Sequence, residues 1–283
     1  MNPKRSLILA SISVLVLMMI LVSFKWPLNI AFGRHSQEVK AEEKTPAVLN
    51  TTITTNNRAE PKMIKFPEEG IPVLMYHSIH TIPGNSLGVP VKQFSEELEW
   101  LRHQHYHALS LEEFYQALAE KAPIPDKPIL FTFDDGYSDN YTEAWPILRQ
   151  NGFKATFFII TNSVGAGMMN WDQLNDLSHA GNSIGSHTVH HLDLTKLSYK
   201  QQESELTISK QELEHHLGIS VQAICFPSGQ YNQTTLQLLS KLEYRLGFTT
   251  HSGKVHFGDN PMILKRVRIS GGMPIASFQK SFP

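Results

Sequence analysis

The segment Thr132-Phe133-Asp134-Asp135-Gly136 sets two adjacent carboxylates at the end of an apolar run, Ile129-Leu130-Phe131, that reads as a buried strand. Two carboxylates there are costly, because they repel each other and both lose water. A metal ion, a catalytic proton or a cationic partner offsets that cost. Further along, Ser186-His187-Thr188-Val189-His190-His191 supplies imidazole ligands. Neutral imidazoles plus one carboxylate make a three-ligand site with open positions, the form a hydrolytic metal needs. The metal lowers the pKa of water and polarises a carbonyl, and the second carboxylate is then free to act as a base. An Asp-Gly turn is the bland reading, but a turn needs no second carboxylate beside the strand.

The remaining histidines sort by context. The 14 histidines in 283 residues would give roughly 0.7 pairs at i, i+4 by chance, so such a pair alone is weak evidence. His103 and His107 end a charged helical pattern and read as solvated. His187 and His191 follow Ile184-Gly185-Ser186, a strand end, and should share a rim with the aspartates. The single cysteine, Cys225, excludes an internal disulfide framework and a multi-thiolate metal site. A net charge of -1 leaves no electrostatic footprint for nucleic acid.

The elements that must position these residues alternate along the chain. Apolar runs predict strands at 72–76, 128–133, 155–160, 183–186, 222–226, 246–250 and 263–269. Amphipathic patterns predict helices at 91–105, 111–121, 138–151, 171–180, 199–217 and 233–242, with an Asn170/Gln173 capping box opening the fourth. Alternation of this kind predicts an α/β fold with a parallel sheet covered by helices, open or closed into a barrel. Active sites of such folds lie at the C-terminal ends of the strands, where Asp134, Asp135 and His187 fall.

Ahead of this, residues 6–26 begin with an uncharged apolar stretch, about 19 residues, long enough to span a bilayer. Lys4 and Arg5 precede it, so residues 1–5 should stay cytoplasmic and the rest be exported. An uncleaved membrane anchor is the favoured reading, and a cleaved signal peptide with secretion the competing one. Residues 27–65 lack apolar periodicity and read as a flexible linker to a catalytic domain at 66–283.

The paired motifs Thr132-Phe133-Asp134-Asp135-Gly136 and His187-Thr188-Val189-His190-His191 resemble the polysaccharide deacetylase family, the NodB-homology domain or carbohydrate esterase family 4. The resemblance spans about residues 72–278. It implies a distorted (β/α) barrel, commonly of seven strands, that removes acetyl groups from polysaccharides with a divalent metal, zinc foremost and cobalt, nickel or manganese as alternatives. By similarity Asp134 is the general base, Asp135, His187 and His191 are the metal ligands, and His190 is a bystander. Cys225-Phe226-Pro227-Ser228-Gly229 resembles the family's Pro-containing groove motif, which implies an oxyanion role for the Ser228 N–H. Pro227, Gly229, Tyr231 and Trp171 are the further groove candidates, with Trp171 as a wall for a sugar ring.

Two departures stand out. Many members carry an Arg that orients the base where this chain has Cys225, leaving Arg266 or Arg268 to do so from another strand. The late Leu-x-His motif that supplies the general acid is also missing. Pro72-Val73-Leu74-Met75-Tyr76-His77-Ser78 instead resembles a subset with permuted element order, including exported enzymes acting on poly-N-acetylglucosamine. His77 is therefore the expected acid and His251 the reserve; Ser78 and Asp139 form no nucleophilic triad. The expectation is N-deacetylation of an N-acetylglucosamine-type envelope or exported polysaccharide, without an obligate protein partner. The alternatives are an O-acetyl sugar esterase and a catalytically impaired carbohydrate-binding protein.

Overall fold

Seven parallel strands, β1 (Val73–Tyr76), β2 (Pro128–Phe133), β3 (Thr156–Ile159), β4 (Ser183–Ser186), β5 (Ala223–Cys225), β6 (Leu246–Ser252) and β7 (Leu264–Arg268), follow one another around a ring. The ring closes because β1 pairs with both β2 and β7. The computed structural model describes residues 61–282. The proposed anchor at 6–26 and the linker up to residue 60 lie outside them, and no helix among the described residues is long and apolar enough to cross a membrane. Among the described residues, Met63–Ile64, just before position 66, runs antiparallel to Ile124–Pro125.

The period of two along a strand divides the core into two layers. Val73, Leu130, Phe158, Ala223, Phe248 and Leu264 point to the barrel axis. Leu74, Tyr76, Phe131, Phe133, Phe157 and Ile224 point outward, under the helices. Gly185 of β4 is what lets Phe158 inside, because a Cβ there would lie 2.5 Å from the Phe158 ring. The same parity aims Cys225 and Arg266 at the axis from within their strands and, one residue past the strand ends, His77, Asp134 and His187.

Six helices are amphipathic covers: α1 (Val91–His103), α2 (Leu111–Glu120), α3 (Trp145–Asn151), α4 (Trp171–His179), α5 (Tyr199–Leu217) and α6 (Gln233–Lys241). A short α7 (Ile275–Gln279) follows β7. Helix α2 differs from the rest, for its Phe114, Ala117 and Leu118 join the axial layer and plug the N-terminal mouth of the barrel. The Asn170/Gln173 box opens α4 as expected, with Gln173 N–H donating to Asn170 Oδ1 at 2.9 Å and Asn170 N–H to Gln173 Oε1 at 3.0 Å. Such a cap stabilises a helix by about 1 kcal/mol.

The expected single helix at 138–151 is a π turn, Asn140–Ala144, followed by α3. Pro146 is the cause. It has no N–H to offer the carbonyl one turn back and its ring crowds that carbonyl, so the chain widens there. The Trp145 N–H accordingly reaches Asn140 O.

One core polar group has a measurable consequence. Glu97 of α1 is fully buried, accepting from the Tyr76 hydroxyl at 2.8 Å and from Gln93 Nε2 at 2.8 Å. Burial pushes its carboxyl up to about 7, although both hydrogen bonds pull the other way. The folded state therefore holds a proton that the unfolded state releases near pH 4.5, and stability is lost as pH rises from there through about 7. The loss is about 3 kcal/mol. Glu97→Gln can still accept from Gln93 through its oxygen and donate to the Tyr76 oxygen through its amide. It should remove the loss, so in urea unfolding the variant gains on the native protein by about that amount between pH 5 and pH 8. Parallel pH profiles for the two proteins would refute this.

Candidate active site

At the C-terminal mouth, Asp134 is 2 % exposed and faces a fully buried Arg266. Arg266 Nη1 donates to Asp134 Oδ1 at 2.8 Å and Nη2 to Oδ2 at 2.7 Å, a two-pronged pair. The other donors reach Thr132 Oγ1 at 3.1 Å, the Thr249 carbonyl at 2.9 Å and Cys225 Sγ at 3.0 Å. All five guanidinium N–H groups are thus used, as a buried arginine requires. A register shift between Leu264 and Arg266 lets β6 bulge against β7. The Thr249 carbonyl, beside this bulge, accepts from the Arg266 side chain. Cys225 matters by being small, leaving room for the guanidinium. Burial would raise the Asp134 pKa, but the Arg266 charge overrides it and holds the carboxyl well below the usual range. Arg268, two residues on, is exposed at the lip of the cavity. Between the two arginines, only Arg266 touches Asp134.

Asp135 turns the other way, in a left-handed conformation (φ 73). Its Oδ1 lies 3.3 Å from His187 Nε2 and 3.7 Å from His191 Nε2. The His187 Nδ1–H is spent on the Cys225 carbonyl at 2.7 Å, which leaves a lone pair on Nε2 facing the carboxylate. Acceptors brought together this way repel unless a cation lies among them. The field has that sign. Burial alone would lower the His187 pKa, yet Cys225 and the Asp135 and Asp134 carboxylates drive it well above the ordinary value. The ligand atoms of Asp135, His187 and His191 all lie within 4.8 Å of one another. Two imidazoles and a carboxylate fit a divalent metal such as zinc with positions left open.

His77 completes the polar floor, its Nε2 3.8 Å from Asp134 Oδ2. Burial is the main reason its pKa falls below the ordinary value. Its loop is clamped from the π turn. Asn140 Nδ2 donates to the His77 carbonyl at 2.7 Å, and Asp139 accepts from Ser78 Oγ at 2.6 Å and Ile79 N at 2.8 Å. Ser78 and Asp139 are thus braces for the His77 loop.

Pro227-Ser228-Gly229 forms a single tight turn with Ser228 left-handed (φ 53). Gly229 is obligatory there, since a Cβ would sit 2.2 Å from Thr250 Oγ1. Ser228 lines the cavity, and among the described residues its N–H has no hydrogen-bond acceptor. A backbone donor left free at a cavity wall can bind an oxyanion.

Other expected residues lie elsewhere. Trp171 does not wall the cavity, because at the first turn of α4 its ring stacks on His216 of α5 at 4.0 Å. Tyr231 packs on Phe226 at 5.0 Å and faces the exposed His251 at 6.4 Å, and neither Tyr231 nor His251 lines the cavity. His190 turns away to Glu205, and His107 Nδ1 binds the Asp126 carbonyl at 2.7 Å. Leu87 and Thr250 do line the cavity and carried no sequence signal. Leu87 sits in an irregular loop, and Thr250 is one polar residue among many.

Comparison with known proteins agrees with this architecture. Residues 121–247 match the family described as Polysaccharide deacetylase. A Streptococcus pyogenes structure, "deacetylase PplD in complex with acetate", superposes with a TM-score of 0.72 at 33% identity, over 79% of this chain and 99% of that one. The poly-beta-1,6-N-acetyl-D-glucosamine N-deacetylase of Staphylococcus aureus is 26% identical over 74% of this chain and 82% of its own. The putative polysaccharide deacetylase YxkH of Bacillus subtilis is 36% identical over 241 residues, 84% of this chain and 86% of that protein. Similarity of that extent, on a seven-stranded barrel carrying the paired aspartate and histidine motifs, makes this chain a member of the polysaccharide deacetylase family.

Proposed function

We propose that this protein removes N-acetyl groups from a polysaccharide of N-acetylglucosamine type, with a divalent metal, zinc foremost, held by Asp135, His187 and His191. The observation that carries the reading is a buried Asp134, gripped by both prongs of Arg266, set beside three side chains whose ligand atoms converge within 4.8 Å. The metal, when bound, supplies Lewis acidity, polarising the acetyl carbonyl and acidifying water. The chain supplies the rest. Asp134, fixed by Arg266, accepts the proton of the attacking water. The Ser228 N–H donates to the oxygen on which charge develops. His77 starts mainly neutral, because burial lowers its pKa, so it must first gain a proton. Asp134 Oδ2, 3.8 Å away, is the near source, and His77 then protonates the departing nitrogen. The amide C–N bond breaks, acetate leaves, and the polymer gains a free amine and its positive charge.

The substrate class is supported by the Staphylococcus aureus relative and by the early Tyr76-His77 motif. We also place the catalytic domain outside the cytoplasm on a membrane anchor at residues 6–26, with fractionation of tagged full-length protein as the check. Activity is expected as acetate release matched by new primary amine when full-length protein acts on N-acetylglucosamine oligomers or peptidoglycan. A strong chelator should abolish both signals, and zinc or cobalt should restore them. Acetate without amine would mark an O-acetyl esterase. Glycan binding without acetate, in metal-loaded protein, would mark a binding protein.

A further inference from the structure

The turn that carries both histidines is tied by its Thr188 and Val189 carbonyls to the N–H groups of Thr161 and Asn162 at 3.2 and 3.1 Å, but its amides past His187 find no backbone acceptor among the described residues. Thr188 (φ 65) and His191 (φ 57) are left-handed, a conformation that non-glycine residues rarely adopt without support from their surroundings. In such a turn the amide groups cannot pair regularly, and they go to side chains. Thr188 N–H donates to Ser186 Oγ at 3.1 Å and His191 N–H to Thr188 Oγ1 at 3.1 Å. The two between them, of Val189 and His190, converge on one oxygen, Glu205 Oε2, at 3.0 and 2.9 Å. Glu205 Oε1 also pairs with His190 Nδ1 at 2.6 Å.

Glu205 belongs to a buried polar stripe on α5. Gln202, Glu205 and Ser209 are 1 %, 6 % and 0 % exposed, at helical spacing, where apolar residues would pack at lower cost. Each reaches toward the mouth of the barrel. Ser209 Oγ shares a hydrogen bond with Ser186 Oγ at 2.8 Å, just before His187. Gln202 Oε1 accepts from Thr235 Oγ1 at 2.6 Å, at the cap of α6 that follows the Ser228 turn.

We infer that Glu205 is a positioning residue for the metal site: its carboxylate clamps the His187–His191 turn in the strained form that lets both imidazoles face Asp135. Glu205 touches neither substrate nor metal. The inference rests on the metal reading above. Partners of this kind, one step behind the ligands, change metal affinity about 10–100-fold when removed. A purely structural brace would lower thermal stability and leave metal affinity alone.

The test is metal affinity in full-length protein, read for zinc and cobalt by competition with a chromogenic chelator. Glu205→Ala and Glu205→Asp, which loses the reach, should weaken binding about 10–100-fold. Glu205→Gln keeps an oxygen for both amides and should stay within a few-fold of native. His190→Ala keeps both backbone bonds and should do the same. In metal-free protein, hydrogen exchange of the Val189 and His190 amides should speed up in the alanine and aspartate variants. If the alanine variant does not fold, the aspartate variant decides. Native-like metal affinity in folded Glu205→Asp would overturn the clamp while leaving the metal site intact. A native protein that binds neither metal would overturn the metal reading and the clamp with it.

Discussion

Asp134→Asn should lower the rate of acetate release by about 10²–10⁴-fold while leaving metal binding in place. The carboxamide is the same size as the carboxylate but cannot take a proton from water at neutral pH. The proposed ligands Asp135, His187 and His191 are other residues, so metal affinity should be unchanged. A second effect accompanies the first. Asn offers Arg266 one acceptor and one donor, so the guanidinium keeps one of its two bonds to this side chain and loses its counter-charge. Stability should fall too, by a few kcal/mol, as when one partner of a buried pair is removed. The two effects separate by measuring activity per folded, metal-loaded molecule at a temperature well below unfolding. A variant with more than a tenth of the native rate under those conditions would remove Asp134 from the role of base. The Glu205 substitutions should show the opposite pattern, weak metal binding with the base untouched.

Much of this site is legible in the amino-acid sequence, for a physical reason. The seven strands are short apolar runs whose faces are both covered, and that pattern survives in the sequence without knowledge of the fold. Asp134, Asp135, His187 and His191 are legible because carboxylates and imidazoles at strand ends are rare and chemically pointed. Arg266 and Arg268 share one strand parity with Leu264, so parity could not separate them; depth along the strand does, with Arg266 buried beside Leu264 and Arg268 exposed at the rim. The parts that were not legible depend on tertiary partners. The Trp171 ring is equally suited to a sugar or to His216, and only the packing of α4 on α5 decides. Gln202, Glu205 and Ser209 read as an ordinary polar helix face, because burial of a polar stripe leaves no compositional mark. The π turn could have been suspected from Pro146, but its use in holding His77 through Asn140 could not.

Arg266→Ala should be the most damaging single change in the barrel. It strands Asp134 at 2 % exposure with no guanidinium and opens a hole on the axis. Breaking one side of a buried ion pair costs about 3–5 kcal/mol, a large share of a typical domain's stability. The cost has a sign in pH. In the native protein the depressed Asp134 pKa contributes stability above the unfolded value near 4, and that contribution is lost only as pH falls through the lower folded value. Without Arg266, burial becomes the dominant influence and raises the pKa, so the carboxyl holds its proton toward neutral pH. The base is then blocked by its own proton, and remaining activity should rise as pH is raised, whereas Asp134 should contribute no such limb in the native protein. Arg266→Lys restores the charge but not the fork, which reaches Asp134, Thr132, Cys225 and the Thr249 carbonyl together. It should therefore recover part of the stability and little of the rate. Urea unfolding at pH 7 and a rate profile from pH 6 to 9.5 give both readings. An alanine variant with native stability and an unshifted profile would show that Asp134 is held ionised by something other than Arg266, with His77 next in reach.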